Sequence, residues 1–215
     1  MSVTFIIIGI TVVVSFLAFN DRRLMDRLVL WPPAVQRDGQ YYRLLTHGFV
    51  HGDGMHLLFN MLTLYFFGPS IERLLGAMAG PWAYPAFYVA AIIVSILPWQ
   101  HAHRNRSDVA SLGASGAVCA VLFAYILFDP WATLLLFFVV PAPAIVLAIG
   151  YVAYSIYMDR RTDRGTGAKI NHNAHLWGAA FGIAFMLVVE PSVLGHFLDR
   201  LAHPRFSPMG HFGAF

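Results

Sequence analysis

Residues 109–128 read VASLGASGAVCAVLFAYILF, twenty residues without an Asp, Glu, Lys or Arg. A helix needs about 20 mostly apolar residues to cross a bilayer, so this stretch is long enough. Met1–Asn20, Gly54–Ile71, Leu74–Gln100, Pro130–Met158 and Ile170–Val189 share the property. In lipid every backbone polar group must be paired internally, which calls for helices. The alternation expected of a membrane barrel is missing. Composition agrees: of 215 residues, 58% are hydrophobic and only 12% charged, against about 25% charged in ordinary soluble domains. Mean hydropathy is +0.63. A disordered tail, a disulfide scaffold and an ordinary soluble enzyme are thereby excluded. The pI of 9.2 comes without a basic run or basic helix face, so no nucleic-acid partner is expected.

The expected fold is an all-α membrane protein, six transmembrane helices in one bundle over residues 1–190, with residues 191–215 a short tail. Met1–Asn20 lacks a basic leader and an A-x-A site, so it reads as the first helix rather than a signal peptide. Pro141 and Pro143 read as a kink in the fifth helix. No internal repeat supports an inverted-repeat transporter. The connection Asp21–Asp53 holds Leu28-Val29-Leu30-Trp31 before Pro32-Pro33 and is expected to lie in the membrane interface.

Parity then places the chemistry. In a six-span chain the starts of helices two, four and six share one membrane face. Those starts carry His56 and Asn60, then Ser115, then His175. Taken alone, Ser111-Leu112-Gly113-Ala114-Ser115-Gly116-Ala117 is a small-residue run of the kind that packs helices closely. Ala117 stands where a nucleophile elbow would need glycine. On the sixth span, spacings of three and four align His175, Gly178 and Gly182 along one face. Gly178 and Gly182 would admit a partner helix, and the small face around Gly113, Ser115 and Gly116 would match it. An imidazole would then reach the Ser115 hydroxyl, as a general base must. His56 and Asn60, four residues apart, point toward one neighbour. Together with the Ser115 backbone N–H they could serve a developing oxyanion. No Asp or Glu lies in the six spans, so a Ser–His dyad is expected rather than a triad.

Tyr42-Arg43 with Thr46, His56 to Asn60, Gly68 with Glu72, Gly113-Ala114-Ser115-Gly116, and Ala174-His175 with Gly178 and Gly182 follow one another in a familiar order. This ordered set resembles the rhomboid family of intramembrane serine proteases. The resemblance implies a six-helix core with Ser115 as nucleophile, His175 as general base, and His56 and Asn60 flanking the oxyanion. Phe59 would line the substrate's approach, and Gly113 would help shape the site. Arg43, Glu72, Gly116, Gly178 and Gly182 would have structural parts. Substrates would be transmembrane segments of other proteins in the bilayer, cut near their outer end at small residues, without metal or cofactor. The sequence departs from the family in two places. Cys119 stands where an aromatic often packs on the catalytic imidazole, so another rotamer or another ring is expected there. Tyr42 stands where the family has Trp.

The connections on the active-site face hold eleven Lys and Arg, Arg22, Arg23, Arg27, Arg37 and Arg43 among them, against Arg73, Arg200 and Arg205 on the other. Charge counting would turn that face to the cytoplasm. The resemblance turns it outward, with the chain in a bacterial plasma membrane, and pairing of the first-loop arginines with Asp21, Asp26 and Asp38 would reconcile the two. Two other readings compete: a rhomboid-like protein that binds helices without cutting them, and a transport or metal-binding protein resting on the ten histidines, of which His47, His51, His56, His101, His103, His172 and His175 lie toward one face. The second lacks an H-E-x-x-H motif.

Overall fold

The element boundaries follow from local chemistry. The computed structural model describes residues 2–136, 139–162 and 171–208. Helix α1 spans Val3–Asn20, and Asp21 then caps α2, Arg22–Leu28, by accepting from the Arg23 and Leu24 N–H groups. Short helices α3, Pro32–Gln36, and α4, Arg43–Thr46, lead to a 3-10 turn at His47–Phe49. Asp53 caps α5, Gly54–Ala79, which ends at Gly80 with φ +87°, a conformation that favours glycine. Helix α6 is Ala83–Ala102 and α7 is Ser115–Phe128. Strands β1, Ala132–Leu136, and β2, Val140–Pro143, precede α8, Ala144–Thr162. Helix α9, His172–Val189, is followed by α10, Val193–Ala202, and β3, Ser207–Pro208. By length and composition Val3–Asn20, Ala83–Ala102 and His172–Val189 suffice to cross a membrane. The architecture is an all-α membrane bundle with one small sheet.

Helix α7 is the axis. Nearly every residue from Gly116 to Phe128 is buried, and α5, α6, α8, α9 and α10 all contact it. Its most extensive partner is α9. A Cβ at Gly178 would overlap the Gly116 carbonyl, and one at Gly182 would overlap that of Ala120. These two glycines let the backbones touch, as the small-residue spacing predicts. Glu72 locks α1 to α5: its carboxylate accepts from the Ser2 hydroxyl and the Val3 and Thr4 N–H groups, at 2.6, 2.7 and 2.9 Å. The two N–H groups are free donors of the α1 N-terminus, where a negative charge is also favoured.

Four sequence expectations need correction. The fourth span begins as a helix only at Ser115, because Gly113 has φ +111° and Leu30 and Ser111 form a two-bond antiparallel bridge just before it. The third span starts at Ala83, since Gly80 and Pro81 break the helix after Ala79. The fifth span is no kinked helix. Pro141 and Pro143 lie in β2, an edge strand in the order β2-β1-β3, where a missing N–H is tolerated. Within the first connection Leu30 packs with Val35, Ile96 and Ala174 inside the bundle, while Trp31 is 38% exposed. Among the described residues no ion pair joins the first-loop arginines to Asp21, Asp26 or Asp38; Asp21 caps α2 instead.

Residues 191–202 do more than trail. Arg200 pairs with Asp129 at 2.8 Å, the Trp131 indole donates to the Arg200 carbonyl, and His196 donates to the Phe128 carbonyl. Gly178→Val is expected to push α9 off α7 and destabilise the fold by about 3 kcal/mol. Thermal unfolding in detergent checks this.

Candidate active site

Three elements bring the sequence-predicted residues together at the N-terminal end of α7. Ser115 is the first residue of that helix, and His175 sits on the first turn of α9, whose cap Asn171 accepts from the Ala174 N–H at 3.0 Å. The His175 Nε2 lies 2.6 Å from Ser115 Oγ. His175 is only 7% exposed, so the pair is shielded from bulk water. The first N–H groups of α7 have no intrahelical partner and are free to meet a developing negative charge beside the serine.

His56 stands over Gly113. A Cβ there would come within 2.6 Å of the His56 ring, so glycine is required by space as well as by backbone angle. Asn60 is buried and its amide donates to the His56 carbonyl at 3.0 Å. A side-chain amide has a second N–H, which stays available. Phe59 is 44% exposed on the same helix. Arg43 lies outside this group: its guanidinium donates to the Asp26 and Val29 carbonyls and to Gln40, tying the first connection into one unit.

Residues outside the expected catalytic set complete the frame. The Gly113 N–H donates to the His47 carbonyl at 2.9 Å. The Ala114 N–H donates to His51 Nε2 at 3.3 Å. A neutral imidazole accepting at Nε2 carries its proton on Nδ1, which donates to the Ser15 hydroxyl; that hydroxyl donates to the Phe49 carbonyl. Asn171 also donates to the Ser111 hydroxyl at 3.0 Å, fixing α9 to the segment before the serine. Its N-cap signal was readable; that of His51 was not. The Nδ1 of His175 faces the Tyr151 hydroxyl of α8 at 2.8 Å, where a triad would place a carboxylate. No metal-ligating cluster of three His, Cys, Asp or Glu occurs among the described residues.

The Rhomboid domain family model matches residues 38–192. The chain belongs to the rhomboid family. The mitochondrial RHOMBOID-like protein 12 of Arabidopsis thaliana is 35% identical over 180 residues, 79% of this chain and 52% of that protein. The mitochondrial Rhomboid protein 1 of Saccharomyces cerevisiae is 30% identical over 155 residues, 70% of this chain and 42% of that protein. Rhomboid protease GlpG of Haemophilus influenzae is 32% identical over 95 residues, 44% of this chain and 45% of that protein. The chain spans about half the length of these relatives. Integral membrane location follows from family and fold. The expected bacterial plasma membrane does not, because mitochondrial proteins stand among the relatives.

Burial holds the His47 imidazole down to about 4 and that of His51 to about 3, with His56 adding to the effect at His51. A pKa lowered by folding means that the unfolded chain binds more protons between that value and its ordinary one. The stabilisation is therefore complete above about 6.5 and lost as pH falls toward 3. Melting temperature in detergent should drop between pH 7 and 4.5, and His51→Gln, which keeps an acceptor for Ala114, should reduce that drop.

Proposed function

We propose that this rhomboid is an intramembrane serine protease that hydrolyses peptide bonds in or near transmembrane segments of other membrane proteins. The observation that carries the reading is the 2.6 Å contact of His175 Nε2 with Ser115 Oγ at a helix N-terminus. Family membership and relatives named rhomboid protease support it.

A substrate helix unwinds locally and presents a carbonyl to Ser115. As Oγ attacks, His175 Nε2 takes its proton. The oxyanion meets the free N–H groups at the start of α7, the second amide N–H of Asn60, and His56. The C–N bond then breaks, the leaving amine takes the proton from His175, and the acyl group stays on Ser115. Water, deprotonated by His175, attacks the ester; the acyl–Oγ bond breaks, Ser115 takes the proton from His175, and the acid is released. Phe59, exposed beside Asn60, lines the approach. Arg43 and Glu72 hold the first connection and α1, and Gly113, Gly116, Gly178 and Gly182 set the spacing. All the groups these steps require belong to the chain and to water.

A fluorophosphonate probe should label the wild type in detergent and leave Ser115→Ala and His175→Ala unlabelled. A folded wild type that neither labels nor cleaves a transmembrane test peptide would leave a protein that binds helices without cutting them. Asn60→Ala should lower kcat about a hundredfold with an unchanged melting temperature, since one oxyanion donor is worth roughly 3 kcal/mol. Steady-state cleavage of the peptide measures it.

A further inference from the structure

We propose that Tyr151 of α8 and Cys119 of α7 act together as the positioning pair of His175, holding it in the one tautomer that can serve Ser115 as a base. The inference rests on the protease reading above and names what orients its base. One turn after Ser115, where the family resemblance leads one to expect a ring, Cys119 is too small to pack on the imidazole. The ring comes from another helix. Tyr151 meets His175 nearly end-on, with ring centroids 6.0 Å apart and planes 25° from parallel. Its hydroxyl lies 2.8 Å from His175 Nδ1 and 3.3 Å from Cys119 Sγ.

Proton counting gives this chain a direction. A neutral imidazole has one N–H. If Nε2 accepts from the Ser115 hydroxyl, the proton must sit on Nδ1 and be donated to the Tyr151 oxygen. The phenol then needs an acceptor for its own proton; the Cys119 sulfur is within reach, a weak acceptor in a shielded place, and the buried Ser155 hydroxyl stands near the phenol one turn further along α8. In the opposite direction Tyr151 donates to Nδ1, Nε2–H faces Ser115, and the serine proton has nowhere to go. An acceptor at position 119 therefore favours the working tautomer. A small side chain there also leaves room for Tyr151, so ring and cysteine are complementary across two helices. The titratable groups around His175 are Tyr151 on α8, Cys119 on α7 through that tyrosine, His172 on α9 with its ring 5.7 Å away, and His56 on α5.

The test is cleavage of a fluorogenic transmembrane peptide by the full chain in detergent across pH 5–9, with thermal unfolding alongside. Tyr151→Phe keeps the ring and removes the hydrogen bonds. It should leave KM and the melting temperature unchanged and lower kcat about five- to tenfold, the scale of one hydrogen bond. The acid limb of its kcat/KM profile should move to lower pH, because the imidazolium loses an acceptor. Cys119→Ala should lower kcat in the same way and Cys119→Ser should restore it. Tyr151→Phe/Cys119→Ala should be no slower than Tyr151→Phe, since the two act through one chain. A Tyr151→Phe variant with wild-type kcat and pH profile would overturn the inference, while loss of activity in Ser115→Ala would still uphold the protease reading. Absence of turnover in the folded wild type would overturn both. If Tyr151→Phe fails to fold, the contrast between Cys119→Ala and Cys119→Ser decides by the same readouts: equal kcat in the two would overturn the inference.

Discussion

The structure depends on backbone contact between α7 and α9. Where Gly178 meets the Gly116 carbonyl and Gly182 that of Ala120, no side chain separates the helices. In a bilayer, lipid tails are as apolar as leucine, so helices associate through close packing rather than through escape from water. Small residues make that packing possible. Ser115 immediately precedes Gly116, and His175 lies one turn before Gly178. The register that joins the helices therefore also sets the 2.6 Å distance between imidazole and hydroxyl.

The second constraint is backbone that is not helical. The backbone just before Ser115 is irregular, with Ser111 bridged to Leu30 and Gly113 at φ +111°, ahead of a helix of fourteen residues. At about 1.5 Å per residue that helix is roughly 21 Å long, short of the hydrocarbon core. Irregular backbone at such depth is tolerated only where protein or a watery cavity satisfies it. Here the protein does so. Leu30 and Ser111 exchange two hydrogen bonds, His47 accepts from Gly113, and His51 accepts from Ala114. The apolar first connection is thus the inner wall of the site, with Arg43 knitting it from behind.

The opposite end of α7 is anchored differently. Asp129 is nearly buried and holds Arg200 and the Ser207 hydroxyl, so α10 and β3 close over the bottom of the bundle. Composition could not separate this segment from a loose tail, because its partners lie some seventy positions away in the chain. The same limit explains the fifth span. Pro130–Met158 carries no charge, and hydropathy alone does not distinguish a membrane helix from a hairpin followed by one.

The sequence by itself determined the class of the molecule and the convergence of its chemistry. Charge-free stretches of membrane length called for helices, and parity put Ser115, His175, His56 and Asn60 on one face. Glycines three and four residues from His175 announced a close neighbour. These signals were legible because each is local or periodic. Only the tertiary structure decided where the helix of Ser115 begins, which backbone groups His47 and His51 serve, and which group faces His175 Nδ1. Those are contacts between residues far apart in the chain, and hydrogen-bond partners have no periodicity to read. Tyr151 shows this most plainly: nothing about its place in α8 marks it, and only the folded bundle brings its hydroxyl between an imidazole and a thiol.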